Sequence, residues 1–331
     1  MSTQPPPPAE SARKQKLPRA LRFLQTFFGA LVLLGFIAYL ITHGSEFDEI
    51  LAASAFDLSI LFLLVGVTLT INVVQNLLLI RRLGVPLSLR ESFNLTLATN
   101  FGNYLPARAG TLISAHYLKK VHGLSYAQSG SLFGIRIVLT MFAIGLNGLL
   151  ATLLIWSQSG RFSLILLAMF AAIVAAATLI WFLPLPERRE TGGRLRRLIL
   201  EASLGASRLR SAPALGAFVL STNLLQQATL VARFYFGTRA LGSTPPLTQL
   251  LLLSPVASLA SLTALTPGAL GLREAAMGAA TYAVGATFAT GMRIGTLDRS
   301  VLFLVVGLVG GACFASVWLR IRSSERKQLH L

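Results

Sequence analysis

Arg108, Arg136 and Arg273 need explaining first, because each falls within an apolar part of the sequence. A cation at the centre of a membrane helix costs about 2.5–3.5 kcal/mol even on a lenient scale, so something should compensate it. The guanidinium is planar, stays protonated at any relevant pH, and grips phosphate with paired N–H bonds. A phosphate headgroup leaving water needs such partners. The competing reading is structural: carbonyls freed where a helix breaks, or an acid, satisfy each Arg. Glu274 is the acid in reach. It directly follows Arg273, and adjacent helical residues do not face one another, so Glu274 is expected to reach Arg108 or Arg136 instead. For Arg136, snorkelling to the inner face is a further alternative.

Arg108 and Arg273 lie in two interrupted apolar segments, Asn100 to Leu112 (NFGNYLPARAGTL) and Leu262 to Glu274 (LTALTPGALGLRE), while Arg136 stands at the start of the span that follows the first. A continuous helix does not choose Pro and Gly near its middle. Each segment is predicted to be a re-entrant hairpin turning at Pro106 and Gly110, or at Pro267, Gly268 and Gly271, with these glycines and Gly102 as permissive backbone points. The return half-helices would aim their positive N-terminal ends at the midplane. Asn94, Thr96, Thr99, Asn100 and Asn103 make the first half-helix polar; Asn72, Gln75, Asn76 and Asn223, Gln226, Gln227 form two similar clusters. Such groups either line a headgroup cavity or bond helix to helix. The candidate substrate-binding set is Arg108, Arg136, Arg273, Glu274, Asn100 and Asn103.

The elements holding these residues follow from composition. Of 331 residues, 54% are hydrophobic and 12% charged, against roughly 25% charged in a soluble domain. Six charge-free stretches can each cross a core of roughly 30 Å as a helix: Phe23 to Thr42, Leu58 to Ile80, Ile137 to Gly160, Phe162 to Pro186, Ser211 to Ala232 and Ser300 to Leu319. The net charge of +17 looks like a nucleic-acid signal until the cations are placed. Most of them lie in segments on one side: Arg13 to Arg22, Arg81 to Arg90, Lys119 and Lys120, Arg188 to Arg210, and Arg320 to Lys327. That is the positive-inside pattern, with both termini cytoplasmic. Arg161, Arg233, Arg239, Arg293 and Arg299 are read as outside or at the outer boundary, while the loop before the second span carries Glu46, Asp48, Glu49 and Asp57.

By the same flanking charges the first hairpin enters from the cytoplasm and the second, from the Ser243 to Pro246 loop to Met292, from outside. The predicted fold is an all-α membrane protein with six transmembrane helices and two re-entrant hairpins in an inverted-topology repeat, which places a site at the bilayer midplane. Two Pro-kinked helices that merely resemble one another are the alternative. The domain plan is a disordered cytoplasmic tail over 1–20, one membrane domain over 21–322 in halves of about 21–157 and 162–322, and a tail over 323–331.

Other signals are weaker. Trp156, Trp181 and Trp318 sit near span ends, where an indole serves equally at the headgroup level or in the core. His43, His116, His122 and His330 lack metal-ligand spacing, and Cys313 excludes an intrachain disulfide. No cofactor is expected, and no Gly-rich loop ending in Gly-Lys-Ser/Thr is present. The Glu187 to Arg210 loop is either an amphipathic helix on an anionic leaflet or a topology-setting loop.

At the two broken segments the chain resembles the membrane-embedded, flippase-like region of the lysylphosphatidylglycerol synthase family, in its stand-alone form. Leu105 to Gly110 (LPARAG), followed by Tyr117 to Lys120 (YLKK), is similar to the first family signature, and Pro267 to Ala275 (PGALGLREA) to the second. The resemblance spans roughly Leu21 to Arg322, spacing included. Three departures stand out: Ala107 where the family commonly has Gly, Thr111 where it has an acid, and Ile135-Arg136 in place of a Glu-Arg pair. A synthase domain is not expected, so lipid aminoacylation is not either. The expected function is non-enzymatic: translocating or binding an anionic or amino-modified lipid, a phospholipid or polyprenyl phosphate, in the cell (cytoplasmic) membrane. The competing classes are a non-catalytic membrane partner of a lipid synthase or glycosyltransferase, and an enzyme acting on a membrane lipid.

Overall fold

The computed structural model describes residues 54–105, 109–160, 163–182, 211–263 and 266–329, and among these the regular structure is helical throughout. The first predicted span, Phe23 to Thr42, the loop from Glu187 to Arg210, Pro106 and Arg108 lie outside the described residues. Five helical segments are long and apolar enough to cross a membrane. They are α1 (Ala55–Arg82), α4 (Tyr126–Ser159), α5 (Leu164–Phe182), α6 (Pro213–Ala240), and the run of α9 (Phe288–Val305) into α10 (Gly311–Leu329) through a wide turn at Val306–Gly310. Their ends carry the expected signals. Asp57 and the Ser54 cap open α1 and Arg81 and Arg82 close it, each opposing the helix dipole; Ser125 and Gln128 form a capping box on α4, which ends at Gly160 with φ 65°.

Three of these helices run well past the charge-free stretches, α4 by beginning at Tyr126, ahead of Arg136. α6 continues through Arg233 to Ala240, and the last span begins at Phe288, ahead of Asp298 and Arg299. Arg233 and Arg299 are therefore buried within the bundle rather than at an outer boundary. A search for uncharged runs stops at any charge, including one that a partner neutralises. The helical segment after the second break likewise ends at Ala283, short of the predicted Met292.

Between the long helices lie two interrupted pairs. α2 (Leu89–Gly102) and α3 (Ala109–His122) flank the first break; α7 (Leu247–Thr263) and α8 (Leu272–Ala283) flank the second, with a short turn at Pro267–Ala269. Gly110 is not a positive-φ turn point: a Cβ there would run into the Thr99 carbonyl, and one on Gly102 would lie 2.5 Å from the Gly110 Cα. Both glycines let α2 and α3 touch backbone to backbone. Gly268 (φ 59°) and Gly271 (φ 76°) do supply left-handed backbone, as predicted, and Ala269 is forced to φ 57° beside them.

Contacts at the helix ends orient the pairs. Glu91 of α2 and His122 of α3 meet each other, and Ser324 of α10 bonds the Lys120 carbonyl, so α2 and α3 open toward the end of the bundle rich in Arg and Lys. At the opposite end Ser54 meets Ala240, Asp57 meets Arg239, and Thr281 at the end of α8 meets Thr287. The closed tips face each other between these ends, where the Gly268 N–H donates to the Asn103 carbonyl at 3.2 Å. α5 is almost wholly peripheral, with Phe170 and Ala177 its buried side chains. Of the tryptophans, Trp156 and Trp318 stay exposed, and Trp181 packs beside Ile135 and Leu139.

Candidate functional site: a cationic cavity where the broken helices meet

The tip-to-tip contact is held by charged side chains. Arg299 on α9 donates to the Gly268 carbonyl and places its Nε 2.8 Å from Glu274 Oε1. The other Glu274 oxygen accepts the Gly271 N–H at 2.8 Å, so one carboxylate fixes the turn, caps α8 and neutralises an arginine. Arg273 Nη2 lies 2.7 Å from Asp298 Oδ2, and Arg233 Nη2 lies 2.7 Å from Asp298 Oδ1. All five side chains are buried, Glu274 entirely and Asp298 to 2% exposure.

Three guanidiniums thus share two carboxylates. Among the described residues the cluster keeps one uncompensated positive charge. Arg233 Nε and Thr266 Oγ1 are buried without a hydrogen-bond partner among those residues. Unpartnered donors beside an unbalanced charge are costly in an apolar interior. An anion close by would satisfy both.

There is room for one. A cavity of about 390 Å³ is lined by Arg233, Arg273 and Arg299, by Asn72, Asn100, Asn103, Gln226 and Gln227, and by Tyr104 and Thr266; no described acid lines it. Tyr104 packs edge-on to Phe303, with ring centroids 5.3 Å apart, and covers the face of Gly268, where a Cβ would meet its ring at 2.5 Å. The glycine is required there for close approach as well as for its φ.

The polar clusters divide between lining and bracing. Gln75 donates to Thr222 Oγ1 at 2.6 Å and Asn223 Oδ1 at 3.1 Å, tying α1 to α6, and Asn147, Ser254 and Gln227 link α4, α7 and α6. Asn103 does both: its Oδ1 accepts from Thr111 N and Oγ1 at 3.2 Å each, closing the first pair. Thr111, where the resemblance led to the expectation of an acid, therefore braces the α2–α3 pair as a neutral donor.

Of the predicted site residues, the structure brings Arg273, Asn100, Asn103, Pro267, Gly268 and Gly271 together at this junction, with Gly110 in the packing beneath. Glu274 belongs to it too, although its partner is Arg299 rather than the expected Arg108 or Arg136. Arg136 lies elsewhere: Nη1 donates to Asn76 Oδ1 at 2.7 Å and Nη2 donates to Asn72 Oδ1. Sequence reasoning missed Arg233, Asp298 and Arg299. The available signal was the pair Asp298-Arg299 standing between apolar residues, one step before a stretch already read as a span.

Long apolar helices surrounding a polar, cationic interior define a multi-pass helical membrane protein with an internal cavity lined by three arginines. The family model of the lysylphosphatidylglycerol synthase TM region matches residues 22–310, and the chain belongs to that family. Comparison with curated proteins and with solved structures gave no match.

Proposed function

We propose that the protein is a flippase-like lipid translocator that receives the headgroup of an anionic or amino-modified lipid, a phospholipid or polyprenyl phosphate, in this cavity and passes it between leaflets of the cell membrane. The observation that carries the reading is the surplus guanidinium charge on the cavity wall, at the junction of two broken helix pairs. Phosphate is the group that an array of Arg forks suits. Neutral amides along the rest of the wall replace water around the polar remainder of a headgroup.

The supporting architecture is six spans with α2–α3 and α7–α8 as re-entrant hairpins from opposite faces, in an inverted repeat, with both termini cytoplasmic. Three features favour it: the hairpins open toward opposite ends of the bundle, their tips meet, and the cations flanking α2–α3 follow the positive-inside rule. The role is non-enzymatic. Both buried acids of the site are held by guanidiniums, which leaves neither placed as a general base for chemistry on the lipid.

Reconstitution into liposomes with a panel of labelled lipids tests this. Protein should raise the fraction of an anionic probe reaching the opposite leaflet. Arg273→Gln should abolish the gain while the protein stays folded, because Asp298 keeps Arg233. Equal accessibility with and without protein across the panel, or a fully active Arg273→Gln variant, overturns the proposal.

A further inference from the structure

Arg136 is a half-buried cation that the cavity cluster does not use. Its two recorded partners, Asn76 and Asn72, are neutral, and among the described residues no carboxylate pairs with it. Arg233, Arg273 and Arg299 each have an acid; among the described residues Arg136 has none. A guanidinium carries five N–H donors, so two bonds to asparagine oxygens leave others to give. An intramembrane cation without a counter-ion is the arrangement that an anionic ligand completes.

Position gives the ligand a route. Asn72 accepts from Arg136 and from Gln226, at 3.3 Å from the latter, and both Asn72 and Gln226 line the cavity. Thr140, one turn beyond Arg136 on α4, lines it as well. Along α1, Asn72 and Asn76 lead toward Arg81 and Arg82, the basic end; along α6, Gln226 leads to Arg233 and the opposite end. Cationic groups therefore stand on both sides, in depth, of the amide-lined part of the cavity around Asn72 and Gln226.

We infer that Arg136 is a second anion station, which holds the lipid phosphodiester on the basic-end side of the cavity after or before it occupies the Arg233–Arg273–Arg299 cluster. The inference rests on the proposed translocation of an anionic lipid and adds where the headgroup pauses. Asn72 and Asn76 orient the guanidinium through their accepting Oδ1 atoms, its remaining N–H groups donate to the phosphate, and the amide wall between the stations carries the headgroup without a charged trap midway.

The test is photo-crosslinking of the full chain in liposomes with phosphatidylglycerol carrying a diazirine on its headgroup, adducts being mapped by peptide mass spectrometry. Adducts are expected in two groups, near Gly268 to Arg273 and near Asn76, Thr96 and Arg136. Arg136→Gln should lose most of the second group and keep the first, and Arg136→Lys, which keeps the charge, should restore part of it. Persistence of the second group in Arg136→Gln, or its absence from wild type while the first is present, overturns the station and leaves translocation standing. No adducts in either group overturns both. Excess inorganic phosphate should not displace the adducts; if it clears the second group alone, the station takes a free anion and the lipid assignment fails.

Discussion

Asp298→Asn should be the most damaging single substitution at the site, because one carboxylate there holds two guanidiniums. Each of its ion pairs is 2.7 Å between N and O. With charge centres about 4 Å apart and an effective dielectric near 20, each attraction is about 4 kcal/mol, and the exposed repulsion between Arg233 and Arg273 adds roughly 2–3 kcal/mol at about 6–8 Å. Relaxation and water entry reduce the sum, and broken buried pairs typically cost about 3–5 kcal/mol. The expected loss is of that size, read by chemical unfolding of purified protein followed by circular dichroism. Two controls isolate the electrostatic cause. Arg233→Gln combined with Asp298→Asn restores the charge balance and should be more stable than Asp298→Asn alone, with a coupling of about 1–3 kcal/mol. Anionic phosphatidylglycerol should stabilise Asp298→Asn more than wild type, since a phosphate then replaces the missing carboxylate; a ligand at a hundred times its Kd contributes about 2.7 kcal/mol. An Asp298→Asn protein as stable as wild type, or a double variant no better than the single, refutes the reasoning.

Two further outcomes probe the interrupted helix pairs themselves. Gly110→Ala should destabilise by about 1–3 kcal/mol or more, since its Cβ would meet the Thr99 carbonyl and lie 2.8 Å from the Asn103 nitrogen, backbone that cannot step aside. Gly66→Ala, with nothing within 4 Å, should be neutral or gain up to about 1 kcal/mol of helix propensity, and the two melting midpoints measured together check the contrast. At the basic end, burial alone would raise the Glu91 carboxyl, but hydrogen bonds from Tyr117 (2.5 Å) and His122 (2.7 Å) outweigh it and hold the group below its ordinary value of 4.5. A depressed native value means a contribution present above the ordinary value and lost as pH falls through it toward the native one. The stability advantage of wild type over Glu91→Gln should therefore be full at neutral pH and shrink as pH falls below 4.5; an advantage constant with pH counts against the pairing.

What the sequence made legible was the backbone plan. Pro and Gly at 106, 110, 267 and 271 announce interruptions, because a proline removes a helical donor and a glycine lowers the cost of left-handed backbone. The predicted spans over α1, α4, α5 and α6 follow from uninterrupted apolar length, and that signal needs no partner to be read. The charged wiring behaved differently. Arg273 stood out because it lies inside an interrupted apolar segment, just after Pro267, Gly268 and Gly271, whereas Arg233 and Asp298-Arg299 flank runs whose ends they seemed to mark.

A neutralised charge inside a membrane and an exposed charge at its edge look the same in one dimension; only a fold that brings α6, α8 and α9 together distinguishes them. The same limit explains Glu274, whose helical neighbour is excluded as a partner by the 100° step but whose true partner, Arg299, lies on an element that sequence reading had placed outside. Once α9 is seen to start at Phe288, its Asp298 and Arg299 fall level with the tips of both pairs, and the function of the breaks becomes physical. They end helices inside the bundle, so that backbone groups at the breaks bond across the junction, the Gly268 N–H to Asn103 and the Gly268 carbonyl to Arg299, and buried arginines line one cavity. An unbroken crossing would have satisfied the same backbone groups internally and left the three guanidiniums nothing to surround.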